Sequence, residues 1–386
     1  MQPDIILLSA YLQHYSSVVE IGKLARAQGI PLILGGPMFN LQGVSQAWRS
    51  LPGLTAVVGS ESDLTVPALV RAACDGGDLL AFDGVALPDG TRSRAAPPLR
   101  DLDRTPIADF TDFPWDRYPF RIVPVMTGRG CQWNRCVFCS DVVSVNGRTF
   151  RTRSVDSVMV ELREQARRHA TTNFLFIDLK LNSNPNMLRG VAENIQRFVP
   201  GAEWIGTVHV DLRKDNGLSR PDLRSAVASG MRRVSFGLES GSQRLLDLMQ
   251  KGSSVEANSE FIRNAHEAGL SVRCTMFKGF PGETADDLVS TAEFLERHEA
   301  YLDRVRFNEF TVYEDTPIHA ALASDSNEYA DARLRSIERH YARSRAVYAE
   351  SGDRAYRRAK ARALRSVYRI NRKEVRHAAR AFDGLM

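Results

Sequence analysis

Cysteine is scarce in this sequence, with five residues among 386. An odd count in a long chain without a secretory leader argues against a framework of disulfide bonds. The chain also lacks any apolar run near the roughly 20 residues that a membrane-spanning helix requires. We therefore expect a soluble, cytoplasmic protein with no membrane partner and with room for two or three domains.

Three of the five cysteines lie close together, at Cys131, Cys136 and Cys139. A [4Fe–4S] cluster normally takes four cysteine thiolates. A loop that offers three of them leaves one iron open to a substrate or cosubstrate. The spacing therefore indicates a reactive iron–sulfur centre.

Two other interpretations of the cysteine loop are weaker. A tetrahedral zinc site needs a fourth ligand, and no paired Cys or His motif supplies one, although zinc stays open as an alternative. Buried structural cysteines do not fit, because Gln132, Asn134 and Arg135 make the loop polar. We expect the remaining Cys74 and Cys274 to be ordinary buried thiols.

Charge is distributed unevenly along the chain. The net charge is +5, but residues 353–380 hold 11 Lys/Arg and 2 Asp/Glu and contribute +9, so the rest carries 40 minus 44, or −4. A basic segment of this kind is typical of a solvated helix face that packs on an acidic body. Nucleic-acid binding is the alternative, and we favour the helix.

Residues 1–72 alternate short apolar runs with helical patterns. The runs at 4–9, 31–34 and 56–58 are nearly continuous, which is typical of parallel strands buried on both faces. We predict a partial Rossmann-like parallel sheet over 1–72. Its first strand would leave one sheet edge unpaired, so we expect a cover over that edge or a further segment before Met1.

Residues 73–119 predict a connector, because they are rich in Asp, Gly and Pro and lack sustained periodicity. We expect a hairpin around Asp89 and Gly90. The aromatic residues within 109–115 are expected to pack against a neighbouring domain.

Residues 120–325 repeat a strand followed by a helix six times. The repeat predicts an α/β fold with a partial (βα)6 TIM-like barrel, whose chemistry lies at the carboxyl ends of the strands. The cysteine loop follows the first barrel strand, and residues 326–386 are predicted to be a helical C-terminal extension. The predicted strands are Ile122–Met126, Phe174–Asp178, Trp204–Val210, Arg233–Glu239, Leu270–Phe277 and Arg304–Val312.

A cysteine loop after the first strand of a six-unit barrel resembles the radical S-adenosylmethionine (SAM) superfamily. Residues 234–242, Val-Ser-Phe-Gly-Leu-Glu-Ser-Gly-Ser, resemble the fourth-strand signature of the branch associated with cobalamin-binding domains. Residues 1–72 resemble the second half of that branch's cobalamin domain, and the first half is not matched. Three further segments of this chain also resemble that branch, namely residues 150–154, 278–284 and 313–318.

The resemblance implies cofactors and their contacts. Cys131, Cys136 and Cys139 would ligate a [4Fe–4S] cluster, and SAM would bind the open iron. The SAM contacts that it implies are Phe138, Asp178, His209, Glu239 and Ser240. The cobalamin contacts that it implies are Ser9, Gly35 and Gly36. A structural pair of His209 with Asp211 is an equally good interpretation, and Ser240 and Ser242 also fit a helix cap.

The function that the resemblance implies is reductive cleavage of SAM to a 5′-deoxyadenosyl radical, followed by cobalamin-dependent methyl transfer to an unactivated carbon. A small molecule, natural-product scaffold or peptide would be the substrate, and an external donor such as a flavodoxin or ferredoxin would supply electrons. A cobalamin-independent rearrangement, epimerisation or cyclisation stays open, because half of the cobalamin domain is unmatched. From another class, a non-catalytic iron–sulfur or zinc protein that binds nucleic acid stays open as well.

Overall fold

The computed structural model describes residues 3–40, 42–59, 61–324, 329 and 353–385. In these residues no helix combines the length and the apolar character needed to cross a membrane. Most of the predicted helical extension between 326 and 352 lies outside the described residues. Two sheets, one of four strands and one of six, organise the rest.

The four-stranded sheet confirms the predicted Rossmann-like start. Its first three strands are parallel, and the fourth is antiparallel to the third. The first strand lies at the edge, as expected, and Leu7 is 48% exposed there. Its elements are β1 (Ile6–Ser9), α1 (Tyr15–Gln28), β2 (Leu32–Gly35), α2 (Gln42–Trp48), β3 (Leu54–Val58), α3 (Val66–Asp75) and β4 (Val85–Ala86). Cys74 is exposed on α3, so its expected burial is wrong.

The connector forms the hairpin predicted around Asp89 and Gly90. The Leu87 amide donates to the Thr91 carbonyl over 2.9 Å, directly after β4. Further along, two aromatic side chains pack against the core of the six-stranded sheet, as expected: Phe110 and Trp115.

The six-stranded sheet contains all six predicted barrel strands, and every neighbouring pair is parallel. Its strands are β5 (Val123–Val125), β8 (Asn173–Phe176), β9 (Glu203–Val208), β10 (Met231–Glu239), β11 (Ser271–Lys278) and β12 (Arg304–Glu309), in the spatial order β12-β11-β10-β9-β8-β5. An antiparallel ribbon of β6 (Gly128–Arg129) and β7 (Arg151–Thr152) follows β5. The predicted sixth strand ends three residues early, at Glu309.

Helices connect these strands and cover the sheet. They are α4 (Val145–Arg148), α5 (Val155–His169), α6 (Pro185–Phe198), α7 (Arg220–Ala228), α8 (Gln243–Leu248), α9 (Val255–Ala268), α10 (Ala285–Arg297), α11 (Pro317–Ala323) and α12 (Arg354–Asn371). Hydroxyl caps fix several of their starts, because each accepts a bond from an otherwise unpaired backbone amide. The caps are Ser154, Ser219, Ser242, Ser254 and Thr284, so the predicted capping by Ser242 is confirmed.

A C-terminal segment closes the amino-terminal end of the barrel strands. Arg233, near the start of β10, has no exposed surface and donates to the carbonyls of Ala379 and Phe382. Arg273 on the neighbouring strand donates to the Leu385 carbonyl over 2.6 Å. The buried guanidinium of Arg233 therefore depends on carbonyls that arrive from the far end of the chain.

The basic C-terminal helix packs on the acidic body, as the favoured interpretation of its charge predicts. In α12, Arg362 pairs with Glu296 over 2.6 Å and Arg369 pairs with Glu299 over 2.9 Å. Both carboxylates belong to the α10 side of the barrel. The helix therefore neutralises part of the body's negative charge.

The first turn of α12 also reaches the turn that follows β11. There the Glu283 carboxylate accepts from the Tyr356 hydroxyl over 2.6 Å and from the Gly279 amide over 2.7 Å. Burial raises the pKa of Glu283 to about 7, with Asp287 adding to the rise and Lys360 opposing it. This carboxyl group therefore titrates near neutral pH in the folded protein.

We predict that removing residues 377–386 destabilises the chain. The truncation deletes the carbonyl partners of Arg233, and a buried charge without partners costs roughly 3 kcal/mol or more. Thermal unfolding of the truncated chain should therefore begin at a lower temperature. Arg233→Met in the truncated chain should recover part of the loss, and equal unfolding midpoints for full-length and truncated protein would contradict the account.

Stability should also depend on pH through Glu283. Its folded-state pKa lies above the unfolded value, so the stabilisation from this group is complete below about pH 4.5 and is lost as pH rises through about 7. Glu283→Gln keeps the acceptor and does not ionise. We expect its thermal midpoint to equal the parent's near pH 4 and to exceed it at pH 8, by the equivalent of about 3 kcal/mol. Parallel pH profiles for the two proteins would refute this.

Candidate active site

The cysteine loop joins β6 to β7 on the carboxyl side of β5. The Cys131 amide donates to the Gly147 carbonyl over 3.0 Å, and the Cys139 amide donates to the Cys136 carbonyl over 3.3 Å. All three cysteines are half-buried. The three predicted ligands thus lie on one folded loop, and their binding of a cluster stays a prediction.

The protein environment keeps two of these thiols protonated. Burial raises the pKa of Cys136, and burial together with the nearby Asp141 carboxylate raises the pKa of Cys139 to about 12. Metals bind the thiolate form. Loading of iron at this loop therefore has to release protons.

The donor set fits a cluster better than a single ion. Thiolates around one zinc would lie roughly 3.8 Å apart, because each Zn–S bond is about 2.3 Å long. Within the described ranges, no three His, Cys, Asp or Glu side chains come close enough to hold one metal ion. Ligands of a cluster bind separate iron atoms, so three cysteines of one loop suit it.

A turn after α8, residues 249–252, clasps the cysteine loop. The Val137 amide donates to the Met249 carbonyl over 3.2 Å, and the Trp133 indole donates to the Gln250 carbonyl over 2.8 Å. Gly252 has a left-handed backbone, and a Cβ there would lie 2.2 Å from the Trp133 ring. Only glycine therefore lets this turn lie flat against the indole.

The same turn carries a buried ion pair. Lys251 donates to Glu239 at the end of β10 over 2.6 Å, and the two residues are 8% and 4% exposed. Burial lowers the pKa of Lys251, but the adjacent Glu239 carboxylate outweighs the burial and leaves the pKa raised. Lys251 is therefore a cation, and the second Glu239 oxygen, Oε2, has no partner among the described residues.

The predicted pairing of His209 with Asp211 is absent from the described contacts. Asp211 instead accepts from Lys180 over 2.9 Å and from Arg213 over 2.9 Å. The His209 ring stacks on Trp133 at 6.4 Å, and its Nε2 is buried without a partner in the described part of the chain. Burial, with the charges of Lys251 and Lys180, lowers the pKa of His209 to about 2, so the ring is neutral.

Asp178 holds the start of the cysteine ribbon. Its carboxylate accepts from the Thr127 hydroxyl over 2.8 Å and from the Thr127 amide over 3.1 Å. Burial raises the pKa of Asp178 to about 6, while the Thr127 bonds oppose the rise. The described contacts of Asp178 thus serve the fold, and its contact with SAM stays a prediction.

Phe138 and Ser240 line different parts of the site. The Phe138 ring packs against Phe277 at 5.2 Å and lies 5.9 Å from the Lys251 ammonium. Ser240 instead bonds to the Thr291 hydroxyl of α10 over 3.1 Å. Phe138 is therefore next to the cysteines and the cation, and Ser240 is engaged with a helix.

The three residues expected at cobalamin lie at the carboxyl ends of β1 and β2. A Cβ on Gly36 would lie 3.2 Å from the Ser9 hydroxyl, whereas a Cβ on Gly35 would have a single neighbour, at 3.9 Å. The same sheet edge reaches the cysteine loop, because Asn146 donates to Asn40 over 3.2 Å. These residues therefore lie on the side of the small sheet that faces the barrel loop.

Two ion pairs join the sheets at this edge. Arg151 of β7 donates to both oxygens of Glu61, over 2.6 and 2.8 Å, and Arg129 of β6 pairs with Asp63 over 2.7 Å. Side chains of the first pair are 8% and 11% exposed. The bond to Arg129 lowers the pKa of Asp63 despite its burial. The cysteine ribbon is thus tied to loops that follow β3.

Sequence reasoning missed three residues of the site, namely Trp133, Lys180 and Lys251. Each acts through contacts with residues distant in sequence, such as Gln250 for Trp133. The available signal was the aromatic residue inside a polar metal-binding loop and the Lys-Gly pair that ends a short helix. Neither signal alone shows a buried cation.

We predict that Gly252→Ala weakens iron binding. The added methyl group would displace Trp133 and with it the clasp on the loop. Gly201→Ala is the matched control, because Gly201 is also left-handed but has no atom within 4 Å of its Cβ position. Both variants carry backbone strain of about 1 kcal/mol. Iron per chain after anaerobic reconstitution should fall only in Gly252→Ala, and equal iron content in both would disprove the clasp.

Comparison with known families identifies the barrel. Residues 125–295 match the sequence description of the radical SAM superfamily. An uncharacterized methyltransferase of Pyrococcus horikoshii is 27% identical over 322 residues, covering 81% of this chain and 68% of that protein. An anaerobic magnesium-protoporphyrin IX monomethyl ester cyclase of Rubrivivax gelatinosus is 26% identical over 378 residues, covering 88% and 66%. The chain spans about two thirds of the length of these curated relatives.

Solved structures share the fold across both sheets. The cobalamin-dependent SAM radical enzyme OxsB, with aqua-cobalamin and SAM bound, aligns with a TM-score of 0.74 at 16% identity, covering 93% of this chain and 58% of that one. The radical SAM methyltransferase TsrM from Kitasatospora setae aligns with a TM-score of 0.70 at 17% identity, covering 98% and 79%. Residues 125–295 are therefore a radical SAM domain, and the cofactors of that family are a [4Fe–4S] cluster and SAM.

Proposed function

We propose that this radical SAM enzyme catalyses cobalamin-dependent methyl transfer to an unactivated carbon. The observation that carries the proposal is the junction of the two sheets. Segments that follow the carboxyl ends of β2 and β3 contact the cysteine ribbon, which follows the carboxyl end of β5. A cofactor at the carboxyl edge of the small sheet would therefore face the cysteines.

The small sheet also offers space at this edge. The open side of Gly35, where a Cβ would meet a single atom at 3.9 Å, leaves room for a ligand. Among the relatives, OxsB binds aqua-cobalamin and TsrM binds cobalamin together with a [4Fe–4S] cluster. We propose that this chain also binds cobalamin, because it shares their fold and has this open edge.

The residues of the barrel mouth suit the other two cofactors. Cys131, Cys136 and Cys139 would hold the cluster, with one iron left open. When bound, the cluster supplies the electron that cleaves SAM, and cobalamin supplies the methyl group. Glu239 Oε2 and the neutral His209 Nε2 are buried acceptors without partners in the described chain, and they suit the ammonium or ribose hydroxyls of SAM.

We extend the proposal to the partners. A natural-product scaffold, a peptide or another small molecule would be the substrate, and an external flavodoxin or ferredoxin would deliver electrons. Nucleic acid is a weaker candidate, because arginines of the basic helix α12 are engaged with Glu296 and Glu299.

A second candidate is a cobalamin-independent rearrangement, epimerisation or cyclisation. His14, which follows β1 at the same sheet edge, already accepts a bond from the Tyr11 amide through Nδ1 over 3.1 Å. This nitrogen is therefore taken and does not offer a cobalt ligand. The similarity to the magnesium-protoporphyrin cyclase adds cyclisation to the reactions found among the relatives.

The experiment uses anaerobic protein reconstituted with iron and sulfide. With SAM and a strong reductant it should release 5′-deoxyadenosine, and Cys136→Ala should lose both the iron and the release. Cobalamin should co-elute with the parent protein in gel filtration. Gly35→Leu fills the open edge and should lower cobalamin retention at least tenfold without changing iron content.

The outcomes separate the candidates. SAM cleavage without cobalamin retention would replace methyl transfer by the cobalamin-independent chemistry. If Gly35→Leu retained as much cobalamin as the parent, the cobalamin site would not lie at that sheet edge. Full iron content in Cys136→Ala would refute the ligand assignment.

A further inference from the structure

Two buried lysine–carboxylate pairs flank the cysteine loop. Lys251 pairs with Glu239 over 2.6 Å, and Lys180 pairs with Asp211 over 2.9 Å. All four residues are at most 8% exposed. Lysine is almost never this buried unless it is paired, and two such pairs beside one loop call for an explanation.

Two residues at the Lys251–Glu239 pair have strained backbones. The flanking Gln250 and the partner Glu239 both have left-handed backbones, with φ of 51° and 60°. Non-glycine residues rarely adopt this conformation, and it costs about 1 kcal/mol or more at each position. Strain on both sides of one ion pair indicates that the position of the ammonium matters.

Gly237 leaves the space that the Lys251–Glu239 pair occupies. A Cβ on Gly237 would lie 2.2 Å from Glu239 Oε1 and 2.6 Å from the Lys251 ammonium. Any larger residue at 237 would therefore displace both partners. The pair has a defined location: the Lys251 ammonium lies 5.9 Å from the ring of Phe138, which is between Cys136 and Cys139 in the sequence.

The charge balance of the site explains what such a cation does. Three thiolates give the loop a negative charge, and reduction of a cluster there adds one more negative charge. A nearby cation stabilises the reduced form more than the oxidised form, especially in a buried site. Net charge around the sulfurs is one of the levers that set cluster potentials.

We propose that Lys251 is a positioning residue that raises the reduction potential of the cluster held by Cys131, Cys136 and Cys139, and that Glu239 lowers it. Lys180, in its own buried pair with Asp211, adds a second cation near the loop. The inference rests on the cysteine-ligated cluster of the proposed function but is independent of cobalamin and of the substrate.

The contacts of the turn place the Lys251 cation beside the cysteine loop. The Val137 amide donates to the Met249 carbonyl over 3.2 Å, and the Lys251 ammonium lies 5.9 Å from the Phe138 ring. Residues 137 and 138 both lie between Cys136 and Cys139 in the sequence, so the cation is next to the part of the loop that holds the cluster.

The electron transfer itself is balanced without a proton. One electron passes from an external one-electron reductant, dithionite in the test, to the cluster, and the reductant is oxidised. Lys251 stays protonated throughout and forms no new bond. Its effect is electrostatic, so it depends on charge rather than on the shape of the side chain.

The experiment is an anaerobic redox titration of reconstituted protein, followed by electron paramagnetic resonance of the reduced cluster. Lys251→Met should reduce the reduced-to-oxidised ratio at a fixed potential at least tenfold, which is 59 mV for one electron. Glu239→Gln should shift the ratio in the opposite direction. Lys251→Arg keeps the charge and should stay near the parent.

Lys373→Met is the matched control. Lys373 is also partly buried and donates to the Leu302 carbonyl over 2.9 Å, but it lies after α12 at the amino-terminal end of the barrel strands. Its potential should equal the parent's. Iron content and circular dichroism of each variant report loading and folding separately from the potential.

Opposite shifts in Lys251→Met and Glu239→Gln would support the proposal, because a general disturbance of the loop would shift both in one direction. Shifts of the same sign, or unchanged potentials, would overturn it. If Lys251→Met fails to load iron, Glu239→Gln still tests the proposal, because the reduction potential of its cluster must rise. A parent protein that binds no iron would instead refute the cluster of the proposed function, and loss of cobalamin alone would leave this test intact.

Discussion

The guanidinium group of Arg151 is the interaction on which the arrangement of the molecule depends. It donates to both oxygens of Glu61, to the carbonyls of Leu99 and Asn146, and through Nε to the carbonyl of Thr149. One side chain thus joins the small sheet, the connector and the return of the cysteine loop. A planar donor fork suits this task better than a lysine would. The Arg129–Asp63 pair and the Asn146–Asn40 bond add to this connection at the same edge.

The site arises where two parallel sheets present their carboxyl ends to one loop. Parallel sheets gather chemistry at that end because the connecting loops and helix starts meet there. Here the loop carries the thiols, the turn at 249–252 supplies the clasp, and buried cations balance the charge. Binding therefore comes from the loop, whereas placement and the nearest cation come from one distant turn. A relative with the same cysteines and a different turn would have the ligands without the same surroundings.

The sequence predicts the barrel and the cysteine loop well because both are local features. Continuous apolar runs define the six strands, and the three thiols of one loop lie together by chain connectivity. Contacts across the chain are different. Asp178 bonds to Thr127, which lies 51 residues away, and no pattern in either segment shows this. Likewise Lys251 resembles an ordinary helix end, since burial of a lysine depends on Gly237 leaving the space for it.

The base of the barrel has a consequence for biosynthesis. Arg233 finds its acceptor on Phe382, which is 149 residues later in the chain. At the usual 5–20 residues per second, a ribosome needs about 7–30 s to make that interval. The segment with all three thiols is therefore already translated while the far end of the strands still lacks its closing piece. During that interval the buried guanidinium of Arg233 has no carbonyl partner from the C-terminal segment.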